Sequence, residues 1–242
     1  MIDIHTHILP YVDDGSPDLE TSIALIKSEI EQGVTDIFVT PHYMKYRNFL
    51  STYDNNKAIF NKLKEKVKAE KLDVNLYLGN EIYYNSKTLE NLKNEIVIPL
   101  DNSKFVLIEF SLSHETEDIP EAIHNLVAIG YIPIIAHPER YPYITDIRDY
   151  KIMRKMGAKI QINAGAVNGN YGKKIKKIVL NLIKNDLVDF VASDVHDFRA
   201  SGMLNAYDVV KKAVSEEKAD QIFNNKMILN QKNIEISQYQ HI

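Results

Sequence analysis

The 242-residue sequence contains no cysteine. That absence excludes disulfides, zinc–thiolate sites and every mechanism in which a cysteine thiolate attacks the substrate, so any hydrolysis here needs another nucleophile. No apolar run approaches the roughly 18 residues that span a bilayer, and strand-like residues begin at Ile2, which leaves no room for a signal peptide. The expectation is a cytoplasmic protein without membrane insertion. A basic excess is missing too: 29 Lys and Arg against 33 Asp and Glu give a formal net charge of -4, with a pI near 6.1. No global field draws the chain to nucleic acid or to an anionic membrane. No Pro/Gly/Ser-rich linker, low-complexity tract or internal repeat marks a boundary, so residues 1–242 are read as one domain.

What is present is alternation. Seven short runs rich in β-branched or aromatic residues recur: IDI, DIFVT, VNLYL, FVLIE, IPIIA, KIQIN and DFVAS. Helical patterns lie between most of them. In SPDLETSIALIKSEIEQG, Ser16 is placed to cap, Pro17 suits the first turn, Leu19, Ile23, Ile26 and Ile30 form one stripe, and Gly33 suits the stop. IPEAIHNLVAIG and GKKIKKIVLNLIKND read the same way. Alternating strand and helix predict an α/β fold with a parallel sheet or a βα barrel. Tyr43 to Asp73 reads as a long basic and aromatic loop followed by a Lys-rich helix with a solvated face, the alternative being that its YMKYR start, with Lys45 and Arg47, borders a substrate site.

Metal-competent side chains gather at the ends of these runs. His5 and His7 follow the first, and positions two apart on a strand point to one face, so both imidazoles can converge. His42 follows DIFVTP, Glu81 follows VNLYLGN, Glu109 closes FVLIE, His137 follows IPIIA, and Asp194 and His196 follow DFVAS. In a βα barrel the carboxyl ends of the strands form one cup, which turns scatter in sequence into a cluster in space. With Asp14 the set is five imidazoles and four carboxylates, more than one ion can use, so two or three cations are implied. Nitrogen and oxygen donors without thiolate suit Mn, Fe or Zn.

The stretches IDIHTHILPYVDDG, TPHY, GNEIYY, LIEFS, AHPERY, NAGAVNGNYGKKIKK and SDVHD resemble the bacterial tyrosine-protein phosphatases of the PHP (polymerase and histidinol phosphatase) superfamily. These act beside capsular polysaccharide tyrosine kinases. The resemblance implies a distorted (β/α)7 TIM-like barrel with a trinuclear centre that is usually manganese-dependent. Carried over, His5, His7, Glu81 and Asp194 hold one ion, Glu81, Glu109 and His137 a second, and Asp14, His42 and His196 a third. Asp14 is preferred to its neighbour Asp13 because the family's DDG motif puts the ligand next to the glycine. Arg140, in HPER, matches the family's phosphate-facing arginine; Arg199 is the nearest candidate for a second, set closer to SDVHD than in relatives.

The implied reaction is hydrolysis of phosphotyrosine on the tyrosine-rich tail of a kinase that regulates capsule or exopolysaccharide synthesis. Residue chemistry alone supports a phosphoesterase whose bound cations activate water. Two alternatives are carried: a histidinol-phosphate phosphatase or other small phosphomonoesterase, marked by a pocket for a small cationic amine, and a non-catalytic metal-containing module that docks on a kinase. Gly172, Lys173 and Lys174 read as a helix start with two alternatives carried equally: an anion-favouring end beside the cup, through free N–H groups and ammonium charge, or a solvated amphipathic helix start. Tyr43, Tyr46, Tyr84 and Tyr141 are candidates to stack on an aromatic substrate. His114, His124 and His241 fall outside the motifs and carry no assigned role.

Overall fold

The computed structural model describes residues 1–224 and 226–229; His241 and most of the tail read above lie outside them. In chain order the elements are β1 (Ile2–Thr6), α1 (Leu19–Glu31), β2 (Asp36–Val39), β3 (His42–Met44), β4 (Phe49–Leu50), α2 (Tyr53–Ala69), β5 (Asn75–Leu78), β6 (Glu81–Tyr83), α3 (Thr88–Lys93) and β7 (Phe105–Glu109). They continue with α4 (Ile119–Ala128), β8 (Ile132–Ile135), α5 (Ile147–Lys155), β9 (Lys159–Asn163), α6 (Ala164–Asn168), α7 (Lys173–Lys184), β10 (Phe190–Ala192), α8 (Met203–Ala213) and α9 (Glu216–Phe223). One sheet runs β1-β2-β5 and a second runs β10-β9-β8-β7-β6-β3-β4. All pairs are parallel except β3 with β4.

The two sheets are pieces of one barrel. Thr40-Pro41 separates β2 from β3, and Gly79-Asn80 separates β5 from β6. Proline offers no N–H to a ladder, and a Cβ on Gly79 would lie 2.6 Å from Leu100 Cδ2, so both strands break where the chain cannot stay regular. Counting each broken strand once and setting aside β4, the two-residue antiparallel partner of β3, gives seven staves. The seam closes between β1 and β10: Thr6 pairs in parallel with Val195, Asp194 N–H donates to His5 O at 2.9 Å, and His7 N–H donates to Val195 O at 3.0 Å.

Side-chain alternation sorts the strands into an inside and an outside. Phe105 and Leu107, Ile134 and Ala136, Phe190 and Ala192, with Ile2, Ile4 and Phe38, pack together and fill the lumen. The intervening Val106, Ile108, Ile135, Ile160, Ile162 and Val191 pack outward against the helices. The same phase carries Glu109 and Asp194 to the upper lumen. On β1 strict alternation from Ile2 and Ile4 would turn His5 and His7 outward. The register with β2 slips between Asp3 and Thr6, and Asp3 Oδ1 accepts from His5 N–H at 3.2 Å and Ser193 N–H at 3.1 Å at that bulge.

Three local expectations are corrected. The cap of α1 is Asp18, whose carboxylate accepts from Thr21 N–H at 2.7 Å; Ser16 instead bonds Asp18 O and Ser22 Oγ, and Pro17 precedes the helix. Asp is at least as good a cap as Ser and stands closer to the apolar stripe. The expected loop after His42 begins as strand, with Tyr43 and Met44 paired to β4. Tyr43, Tyr84 and Tyr141 are core residues, 4%, 7% and 2% exposed, which leaves only Tyr46 of those four tyrosines open to a substrate.

Candidate metal centre

The nine metal-competent residues meet at the carboxyl end of the barrel. His5 Nε2 and His7 Nε2 are 3.1 Å apart. Glu81 Oε2 lies 3.2 Å from the first and 3.3 Å from the second, and Asp194 Oδ1 lies 3.6 and 3.5 Å away. Donors that share one cation at about 2.0–2.2 Å stand about 3.0–3.5 Å from one another, which is the spacing found. Around the other oxygen of Glu81, His137 Nε2 lies at 3.0 Å and 3.7 Å from Glu109 Oε1. His42 is shared: Nδ1 is 2.7 Å from Glu81 Oε2 and 3.7 Å from Glu109 Oε2, while Nε2 is 3.6 Å from Asp14 Oδ1. His196 Nε2 is 3.5 Å from the same Asp14 oxygen.

Hydrogen bonds behind the cluster aim the imidazoles. His5 Nδ1–H donates to Gln161 Oε1 at 3.1 Å, His7 Nδ1–H to Asp13 Oδ2 at 2.8 Å, and His196 Nδ1–H to the Asp194 carbonyl at 3.0 Å. Each bond fixes the tautomer that leaves Nε2 bare toward the cluster. Asp13 also accepts from His42 N–H at 2.9 Å and Gly15 N–H at 3.0 Å. Thus the two aspartates of DDG divide the work: Asp13 is buried behind His7 and Asp14 faces the cleft. Gly15 completes the motif, because a Cβ there would sit 2.1 Å from His7 O. Asn163 Nδ2–H donates to Asp194 Oδ2 at 2.7 Å, and Gln161 Nε2–H donates to Asn163 Oδ1 at 2.9 Å. Asp13 enters the sequence reading only as the less favoured alternative to Asp14, and Gln161 and Asn163 do not enter it as site residues. Their signal was phase: Gln161 and Asn163 alternate with Ile160 and Ile162, which face outward, so both point into the lumen.

Without a cation the cluster is electrostatically unresolved. Burial alone would lower the basicity of His5 and His7, but Glu81 and Asp194 beside the first, and Asp13 and Glu81 beside the second, push both up to about 9. Burial favours the acid form of Glu81, yet His5 and His42 hold it well below the usual carboxylate range. Glu109 goes the opposite way, raised by burial and by the Glu81 charge. His137 is lowered to about 4 by burial and by Arg140. Asp14 Oδ1 and Glu109 Oε2 are buried atoms without a hydrogen-bond partner, and Glu81 Oε2 and His42 Nδ1, though 2.7 Å apart, meet in a geometry that makes no hydrogen bond. Each such atom is costly unless something neutralises it. The sets His5-His7-Glu81, His42-Glu81-Glu109 and His7-Asp14-His42-His196 each bring ligand atoms close enough for a cation. Backbone conformation agrees: His137 and Asp194 sit at left-handed φ of 34° and 53° directly after their strands, strain of the kind that collects at functional sites.

The cluster floors a cleft of about 360 Å³. Arg140 and Arg199 both reach it, and both bind one carboxylate: Arg140 Nη1–H donates to Asp194 Oδ2 at 3.2 Å, and Arg199 donates to the same oxygen and, at 2.9 Å, to the Asp194 carbonyl. Arg47, in the YMKYR stretch after His42, joins them by donating to Asp14 Oδ2 at 3.2 Å. Tyr171, just ahead of α7, places its ring 5.7 Å from the Arg140 guanidinium, while Gly172 and Lys173 are not among the residues that line the cleft. His114 and His124 are exposed and off the cluster.

A seven-stave α/β barrel with a His, Asp and Glu cup at its carboxyl end defines the class, the distorted barrel of the PHP type. The chain belongs to the capsular polysaccharide synthesis CpsB/CapC family, whose model matches residues 1–230. It is 35% identical over 232 residues to the tyrosine-protein phosphatase CpsB of Streptococcus agalactiae, covering 92% of this chain and 95% of that one. To the tyrosine-protein phosphatase YwqE of Bacillus subtilis (strain 168) it is 34% identical over 205 residues, with 82% and 78% covered. A chain from the crystal structures of YwqE of Bacillus subtilis and CpsB of Streptococcus pneumoniae, described as metal-dependent tyrosine phosphatases, superposes with a TM-score of 0.90 at 30% identity, covering 97% of this chain and 96% of that one. Histidinol phosphate phosphatase of Lactococcus lactis, at a TM-score of 0.56 and 14% identity over 88% of this chain and 94% of that one, shares the fold.

Proposed function

We propose that the protein is a metal-dependent protein-tyrosine phosphatase that hydrolyses phosphotyrosine on the tail of a bacterial tyrosine kinase controlling capsule or exopolysaccharide synthesis. The observation that carries this reading is the convergence of nine nitrogen and oxygen donors beneath arginines in one cleft, in a chain of the CpsB/CapC family. Residues 1–242 act as one domain, in the cytoplasm where such a tail is phosphorylated. His5, His7, Glu81 and Asp194 would hold one cation, Glu81, Glu109 and His137 a second, and Asp14, His42 and His196 a third, with Glu81 bridging the first two. A cysteine-free oxygen and nitrogen set suits manganese, with iron or zinc as substitutes. Bound there, the cations supply Lewis acidity and bring the pKa of water toward about 7.

The chain's own groups do the rest. Arg140 and Arg199 hold planar donor forks over the cluster and orient the non-bridging phosphate oxygens, releasing Asp194 Oδ2 in part as they do so. The bonds from Gln161, Asp13 and the Asp194 carbonyl keep three imidazoles in the ligating tautomer. The leaving phenolate, with an unperturbed pKa of about 10, departs without a strong acid beside it. The rim favours this substrate over histidinol phosphate: every carboxylate lining the cleft belongs to the cluster, and the remaining charged lining residues are arginines, which repel an ammonium group. The test is a metal-dependent activity screen. Chelated protein should be inactive, manganese should restore it best, and a phosphotyrosyl peptide should exceed histidinol phosphate in kcat/KM. Turnover by fully metal-free protein, or a decisive preference for histidinol phosphate, rejects the reading.

A further inference from the structure

Two dipeptides with the same order overhang the cleft from the staves that flank β1. Tyr46-Arg47 follows β3, and Phe198-Arg199 follows β10. In each the arginine turns inward onto a carboxylate of the cluster, Arg47 onto Asp14 and Arg199 onto Asp194. In each the aromatic ring stays in solvent: Tyr46 is 68% exposed and Phe198 67%. Both rings are nonetheless held. Phe198 lies 4.9 Å from the His196 ring and 5.7 Å from the Arg199 guanidinium, and Tyr46 meets Tyr83 edge-on at 4.9 Å. Leu112, 42% exposed, lines the same cleft. A lone exposed aromatic is ordinary, but two held rings and a leucine around one opening make an apolar collar above a charged floor.

That layering matches a ligand with an anionic head and a flat apolar neck. We propose that Tyr46 and Phe198 bind the aromatic ring of the substrate and so select aryl phosphates such as phosphotyrosine over alkyl phosphates such as phosphoserine. The inference rests on the phosphatase reading above. With the phosphoryl group on the floor beneath Arg140 and Arg199, the carbons next to it stand at the height of the collar. A phenyl ring there covers both exposed faces, whereas a serine methylene leaves them wet.

The experiment compares phosphotyrosyl and phosphoseryl versions of one peptide on the manganese-loaded wild type, Tyr46→Ala, Phe198→Ala and Phe198→Tyr. Both rings are exposed, so the variants fold. Each alanine should lower the aryl-to-alkyl ratio of kcat/KM about three- to ten-fold, chiefly through KM for the phosphotyrosyl peptide, and Phe198→Tyr should retain the ratio. The intrinsic advantage of a phenolate leaving group cancels in this comparison. Inhibition by phenylphosphonate should weaken by the same factor relative to methylphosphonate. Unchanged ratios in both alanine variants of an active enzyme overturn the collar's role while leaving the phosphatase reading intact. Wild-type protein that hydrolyses neither peptide overturns both.

Discussion

Side chain by side chain, the residues that touch the cleft were easier to read than those that hold them. Nine ligand-type residues stood out because His, Asp and Glu at strand ends are conspicuous against apolar runs. Gln161 and Asn163 did not, since an amide in a strand has many ordinary uses and only the phase of Ile160 and Ile162 reveals where it points. Phe198 was invisible because exposure, not identity, is what makes it notable. Two predictions belong here. Arg140→Ala should leave metal content unchanged and lower kcat/KM about 10²- to 10³-fold, as loss of a preorganised charge donor does, measured by metal analysis alongside kinetics; loss of metal with unchanged rate per bound ion refutes the assignment. Gln161→Leu should weaken metal binding about 10- to 100-fold, because His5 then loses the acceptor that fixes its tautomer. Wild-type metal affinity in that variant would separate Gln161 from the centre.

Secondary elements were legible where pattern and period agreed. Five of the seven strand runs fold as single staves, while DIFVT and VNLYL each continue, after Pro41 and Gly79, into a second short strand that starts on a cluster residue. Those breaks were not foreseen because the sequence shows a run ending and gives no sign that the stave resumes. Nor was the slip in β1, which inverts the face of His5 and His7 relative to Ile2 and Ile4. Asp3 holds that slip by accepting two buried N–H groups, so Asp3→Ala strands both. Unsatisfied buried donors cost about 1–3 kcal/mol each. Asp3→Ala should therefore lose several kcal/mol in urea unfolding of the chelated protein, with metal affinity falling as the imidazoles lose their aim. A variant that keeps both stability and affinity would show that the bulge is set elsewhere.

At the scale of the whole molecule, barrel closure and the proposed metal centre are the same feature. The seam between β1 and β10 is held by few backbone bonds, and His5 and His7 stand on one side of it with Asp194 on the other. A cation shared by those three and Glu81, as proposed, would tie the seam; without it, protons would have to do so. Metal-free, His5 and His7 are raised from 6.5 to about 9, so the stability they lend is complete below pH 6.5 and is lost as pH rises through about 9. A cation must displace those protons, which makes its affinity rise over the same interval. Chelated protein should accordingly melt at a lower temperature at pH 9 than at pH 6.5, and the gain in melting temperature on adding manganese should be larger at pH 9. Hydrogen exchange locates the effect: on chelation the amides of His7 and Asp194, which donate across the seam, should lose protection before those of Leu107 and Ile108 in the opposite wall. Uniform loss around the barrel, or a manganese gain that shrinks toward pH 9, would mean that the centre does not staple the closure.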